Sequence, residues 1–153
     1  MKKLMSTVFV IAAAASMAIA ADQPDFTGTW KMDPDKSTFG PLPPPTSITS
    51  KISHKDPNLT VATTQVGPDQ ESTAKYSTDG KETTNSMMGN DMKSKAVWEG
   101  KTLVVSSSLD AGGAQIKFTA KYSLSEDGKT LTNALSISSP GGDFDMNIIM
   151  LKQ

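Results

Sequence analysis

Phe26-Thr27-Gly28-Thr29-Trp30-Lys31-Met32 is the stretch from which the fold can be read. At period two it sets Phe26, Gly28, Trp30 and Met32 on one face and Thr27, Thr29 and Lys31 on the other, as a half-buried strand requires. A glycine two residues before a tryptophan on the same face leaves room for a neighbouring segment against the indole. The turn residues Asp33-Pro34-Asp35-Lys36-Ser37 end this strand. In Phe39-Gly40-Pro41-Leu42-Pro43-Pro44-Pro45 the prolines remove ladder donors and hold the chain extended. This segment reads as a stiff loop crossing one end of the domain, with Phe39 and Leu42 placed to cap the core; a proline-rich docking ligand is the alternative.

Downstream, short alternating runs are separated by turn residues. Ser47 to His54 carries Ile48 and Ile52 in phase, and Lys55-Asp56-Pro57-Asn58 turns it into Leu59 to Val66. Glu71 to Ser77 carries Ala74 and Tyr76. Thr78-Asp79-Gly80-Lys81 then predicts a tight hairpin, because Asp-Gly supplies the positive φ angles of a two-residue turn. The polar run Glu82 to Met88 is followed by Met92 to Glu99, with Met92, Ala96 and Trp98 in phase. In Thr102 to Leu109, Leu103-Val104-Val105 is apolar on both faces. Gln115 to Leu124 alternates most cleanly, with Ile116, Phe118, Ala120, Tyr122 and Leu124 on one side. A second Asp-Gly hairpin, at Asp127-Gly128, leads into Thr130 to Ser138. The last run places Phe144, Met146, Ile148 and Met150 on one face.

Only the N-terminal 20 residues depart from this pattern. Helical apolar spacing is otherwise absent, so the expected fold is all-β: an up-and-down antiparallel meander barrel of about 8 to 10 strands. A two-sheet sandwich, whose crossovers need longer connections, is the alternative.

Lys2 and Lys3 precede an apolar run centred on Val8 to Ala15, and Ala18-Ile19-Ala20 supplies the small residues of a cleavage site. Residues 1 to 20 are therefore expected to be a secretory signal peptide rather than a membrane anchor. Residues 21 to 153 would form one domain, soluble and periplasmic or secreted. Without Lys2 and Lys3 the net charge falls from −1 to −3. The chain contains no arginine, the residue that best grips phosphates and base edges, which argues against a nucleic-acid partner. It also contains no cysteine, so disulfides cannot brace it and stability must come from one apolar core.

Residues suited to catalysis are few. His54 is the single histidine, so a hydrolase would have to use it; beside Ser53, Lys55 and Asp56 at a strand end it reads instead as a surface or rim residue. Asp33/Asp35 and Asp143/Asp145 could each hold a cation, but both pairs lie next to turns, where aspartate serves local hydrogen bonding. Met87, Met88 and Met92 could present thioethers to Cu(I). The same residues equally suit an adaptable apolar rim. No catalytic residue, metal ligand or cofactor is therefore assigned.

Gly28-Thr29-Trp30 in a first strand at the head of a meander resembles the Gly-x-Trp signature of the lipocalin and calycin group. The wider string from Phe26 to Gly40 is similar to small exported bacterial proteins of lipocalin-like type. Lipocalins commonly lay an arginine from the last strand region over that tryptophan; here Lys152 is the nearest substitute. The resemblance gives Gly28 and Trp30 structural roles. It implies a barrel with a cavity for a small hydrophobic molecule, without catalysis. With the Trp30 face inward, the wall candidates are Ile52, Val61, Tyr76, Trp98, Val105, Phe118, Tyr122, Leu135 and Met146, with Met88 and Met92 at the rim. The alternative is a filled barrel that engages a protein partner in the cell envelope as an interaction or inhibitor module.

Overall fold

The computed structural model describes residues 22–153, and the expected signal peptide lies outside the described residues. Ten strands follow one another: β1 (Gly28–Met32), β2 (Ser47–Lys55), β3 (Asn58–Val66), β4 (Gln70–Ser77), β5 (Thr83–Met87), β6 (Asn90–Glu99), β7 (Thr102–Ala111), β8 (Ala114–Leu124), β9 (Thr130–Ser139) and β10 (Gly142–Lys152). Among the described residues there is no helix. All ladders are antiparallel, in the order β4-β3-β2-β1-β10-β9-β8-β7-β6-β5. Pairing of the first strand with the last, Trp30 opposite Lys152 and Met32 opposite Met150, rolls the meander into a barrel wall. The up-and-down barrel is thus the observed fold.

Alternation decides which side chains fill it. On β6, buried Met92, Ser94 and Ala96 alternate with exposed Asp91, Lys93, Lys95 and Val97. The same phase on β7 to β10 puts Leu103, Val105, Ala120, Leu131, Ile148 and Met150 into one core with Trp30 and Phe26. Burying this apolar face is the dominant favourable term in folding.

One end of the barrel is closed by the segment before β1. Phe26 is 1% exposed, and its ring stacks on His54 and Trp98 at 5.5 and 5.7 Å and tilts against Tyr122 at 6.2 Å. Fully buried Trp30 donates its Nε1 proton to the Phe26 carbonyl at 2.8 Å. The Lys152 ammonium lies 5.4 Å from the Trp30 ring centroid, a cation–π contact in the place where the resemblance expects an arginine. A Cβ on Gly28, whose φ is +147°, would stand 3.0 Å from Lys152 Cε, so the glycine keeps the indole and the lysine together.

His54 corrects the sequence reading. Its side chain is only 4% exposed, held in the closed end rather than on a rim. The Phe26 backbone N–H donates to Nδ1 at 3.3 Å, so the ring proton sits on Nε2, facing Asp56 Oδ1 at 2.8 Å. The Asp56 carboxylate also accepts from the Thr78 hydroxyl at 2.6 Å.

The loop after β1 runs alongside β10. Thr38 exchanges backbone hydrogen bonds with Asn147, extending the β1–β10 edge beyond Met32. Phe39 packs against the core, but Leu42 is 46% exposed and caps nothing.

The second correction concerns Asp79-Gly80. β4 and β5 do not form a hairpin, because Thr78 N–H bonds to the Pro57 carbonyl and Gly80 N–H to the Ala96 carbonyl, pulling the turn onto other strands. The matching turn at Asp127-Gly128 does join a paired hairpin, β8 to β9. Both turns are built alike, Ser77 and Ser125 each donating to the aspartate two residues on at 2.6 Å. Local turn chemistry is thus the same at both sites; what differs is the ladder each turn feeds.

Candidate functional site

The missing β4–β5 ladder leaves one seam in the barrel wall. A side chain spans it: Asn85 Oδ1 accepts from Lys75 N–H at 2.7 Å and Asn85 Nδ2 donates to the Lys75 carbonyl at 3.0 Å. The amide group imitates one rung of a ladder, donor and acceptor both satisfied.

An outer cleft of about 390 Å³ opens at this seam, and its wall includes Val61, Ala74, Tyr76, Met87, Met88, Met92 and Tyr122 together with Asn85 itself. Behind it lies a cavity of about 140 Å³ among Val105, Phe118, Ala120, Asn133 and Leu135. Tyr76, Met87, Met92 and Tyr122 border both spaces, so cleft and cavity are the outer and inner parts of one opening. A further depression of about 310 Å³, bordered by Lys93, Lys95 and Lys117, shares Ser107 and Phe118 with the cavity but none of these four residues.

Six of the eleven wall candidates, Tyr76, Met92, Val105, Phe118, Tyr122 and Leu135, line the inner cavity, and Val61 and Met88 line the outer cleft. Ile52 and Trp98 lie elsewhere. Ile52, 5% exposed, faces Val61 in the packed core, and Trp98 belongs to the closed end beside Phe26. Met146 is half-buried opposite Leu135 and borders neither space. Met88 sits at the mouth, 82% exposed and with φ of +53°, a left-handed conformation that costs a non-glycine residue about 1 kcal/mol or more. Met87 and Met92 point inward from the same hairpin.

Asn85 and Asn133 were not anticipated. The signal was present, since each is a polar residue in the inward phase of its strand: Asn85 with Met87, Asn133 with Leu131 and Leu135.

The inner wall is mostly apolar, and its polar groups are accounted for differently. Ser107 meets Ser94 hydroxyl to hydroxyl at 2.7 Å. Burial raises the Tyr122 phenol far above its ordinary value, and the neighbouring Tyr76 phenol adds to this; Tyr76 is itself raised by burial. Three buried side-chain atoms lack a hydrogen-bond partner among the described residues, Gln23 Oε1, Trp98 Nε1 and Asn133 Oδ1, and of these residues only Asn133 borders the cavity. No lysine borders either space, and Glu71 at the outer cleft is the one charged side chain on the two walls.

The Asp33/Asp35 pair is accounted for by local structure. Asp33 pairs with Lys36 at 3.0 Å and accepts from Asp35 N–H, a turn arrangement. Among the described residues no three His, Cys, Asp or Glu side chains gather as a metal site. Both nitrogens of His54 are engaged, one by Phe26 and one by Asp56, which leaves neither free to take a proton from a nucleophile.

No protein-family model matches the sequence, and no curated protein matches it. Solved structures do resemble the fold. Zebrafish ileal bile acid-binding protein, in complex with cholic acid, aligns with a TM-score of 0.61 at 16% identity over 84% of this chain and 98% of its own. A secretory abundant heat soluble protein of Ramazzottius varieornatus aligns at 0.66 and 14% identity, over 84% and 95% of the two chains. Secretory abundant heat soluble protein 4 of the same organism aligns at 0.59 and 16%, over 84% and 94%. At such identities the likeness is one of fold alone, the antiparallel up-and-down barrel.

Proposed function

We propose that this chain is a non-catalytic carrier barrel for a small hydrophobic molecule, held behind Tyr76 and Met92 and admitted through the β4–β5 seam. One observation carries the reading: the only place where the wall of the described barrel lacks a ladder is where a cleft of mixed polarity leads to a mostly apolar cavity. An inner cavity of about 140 Å³ is on the scale of a ~150 Å³ engineered cavity that admits benzene. It would take a ring or a short chain, with the rest of a larger molecule lying in the outer cleft. The methionines at the mouth suit an occupant of variable shape, being unbranched and polarizable. A neighbour of the same fold in complex with cholic acid supports a barrel of this kind as a container. Export, through the expected leader of residues 1 to 20, belongs to the same proposal.

The test is a filled cavity. Ala120 borders the inner space, so Ala120→Leu adds an isopropyl group to it. The unmodified protein should gain thermal stability from a binding apolar compound, about 2.7 kcal/mol at a hundred times Kd, or roughly 10 °C for a domain of this length. Ala120→Leu should fold and lose most of that gain. An equal gain in the two proteins would place any binding elsewhere. No gain in either, across a panel of apolar compounds, would favour a filled barrel working through its surface.

A further inference from the structure

We propose, building on the carrier reading, that the occupant is a neutral amphiphile whose hydroxyl group meets the Asn133 amide, rather than an apolar acid. Three observations on the page converge on this class.

First, Asn133 stands on β9 between Tyr122 of β8 and Ile148 of β10, in the inward phase, and is one of the residues bordering the cavity. Its Oδ1 is buried and finds no partner among the described residues, unlike Ser94 and Ser107, which satisfy each other. A buried carbonyl without a partner carries a desolvation cost, which a ligand donor would relieve once the side chain turns Oδ1 to the cavity. Turning the amide half a revolution exchanges Oδ1 for Nδ2 and asks for an acceptor instead. A hydroxyl both donates and accepts, so it satisfies either orientation.

Second, the walls offer no cation. A buried carboxylate needs a paired charge or several strong donors, and no lysine borders the cavity or the cleft. The one charged wall residue, Glu71, would repel an anion at the mouth. The raised Tyr122 phenol reports the same surroundings: this interior disfavours negative charge.

Third, most of the rest of the inner wall is apolar. Val105, Phe118, Ala120 and Leu135 suit a hydrocarbon body; of the polar residues there, Ser107 is paired with Ser94 and Tyr76 and Tyr122 present phenols, while Asn133 alone holds a buried side-chain atom without a partner among the described residues.

The test compares three ligands of one chain length, decanol, decanoate and decyl methyl ether, at neutral pH by calorimetry. The unmodified protein should bind decanol about tenfold more tightly than either of the others. Asn133→Leu keeps the shape and removes the amide. It should lower the affinity for decanol about tenfold and leave that for the ether unchanged or improved. Decanoate binding as tightly as decanol, or Asn133→Leu binding decanol undiminished, would overturn the hydroxyl assignment while leaving the carrier reading in place. Failure of all three ligands to bind would overturn both. If Asn133→Leu does not fold, Asn133→Gln replaces it; moving the amide out by one methylene should abolish the preference for decanol over the ether without loss of ether binding, and an undiminished preference would overturn the contact. A preference of Asn133→Gln for decanoate would refute the assignment.

Discussion

Replacing Asn85 by leucine should open the seam of the barrel. The native amide makes two hydrogen bonds to Lys75, at 2.7 and 3.0 Å, and no ladder rung between β4 and β5 duplicates them. Each such bond contributes about 1 kcal/mol net, and the freed Lys75 groups lie on a strand exposed on its outer side and can recover water. The expected loss is therefore about 2 kcal/mol, close to the sum of the two bonds and below the penalty for orphaned interior groups. For a domain of this length that corresponds to roughly 6 to 10 °C in melting temperature. Urea unfolding with unchanged m-value measures the loss, and amide hydrogen exchange locates it: the Lys75 N–H should exchange by local opening while the β8 and β9 amides stay protected. Ligand association should quicken, because the seam is the proposed entry. A variant with Lys75 still protected and stability within about 0.5 kcal/mol of the original would refute the latch.

Further predictions concern the floor, the mouth and acid stability. Gly28→Ala should cost about 1 to 3 kcal/mol by urea unfolding, since φ is +147° and the added Cβ would lie 3.0 Å from Lys152 Cε; a loss near zero would mean the floor relaxes freely. Met88→Asn should stabilise by about 1 kcal/mol, because asparagine tolerates the left-handed conformation and forms the preferred pair with Gly89, at the expense of ligand affinity if Met88 serves as the lip. Asp79 is held down to about 2 by the Ser77 hydroxyl, then by the Lys81 N–H and ammonium, and Asp127 is lowered in the same way by Ser125 and Lys129. For Asp56 partial burial pushes upward, but hydrogen bonds from Thr78 and His54 outweigh it and the net shift is downward. Because these folded values lie below the ordinary aspartate value of about 3.9, the unfolded chain binds more protons, so their contribution is present above about pH 4 and lost as pH falls toward about 2. Replacing Asp79 and Asp127 together by asparagine should flatten the stability–pH curve in that window; an unchanged slope would contradict the assignment.

How much of this was legible from residues alone varies by element. Strands were legible because one face of each is buried: the alternation of Ile116, Phe118, Ala120 and Tyr122 against lysine and threonine has a single stable register. The role of Gly28 beside Trp30 was legible for the same reason, with Lys152 supplying the cation. The Asp79-Gly80 turn was read as a hairpin because its chemistry is that of Asp127-Gly128; its strands part because Thr78 and Gly80 hydrogen-bond to Pro57 and Ala96, partners distant in sequence. His54 looked like a rim residue beside Lys55 and Asp56, and only the fold shows Phe26 stacked over it. Wall residues were inferred by phase, which separates inside from outside but not floor from cavity. Trp98 and Ile52 therefore carried the right phase and the wrong height, while Asn85 and Asn133 were passed over because amides in strands read as exposed.

Methyl-labelled methionine NMR during titration with decanol tests the central claim most directly. The account predicts that the Met87 and Met92 methyl signals, which border both cleft and cavity, shift and saturate at one equivalent, while those of Met32 and Met150, packed in the core with Trp30, stay in place. Saturable shifts at Met32 and Met150 instead, or no shift at Met87 and Met92 with ligand in excess, would contradict it.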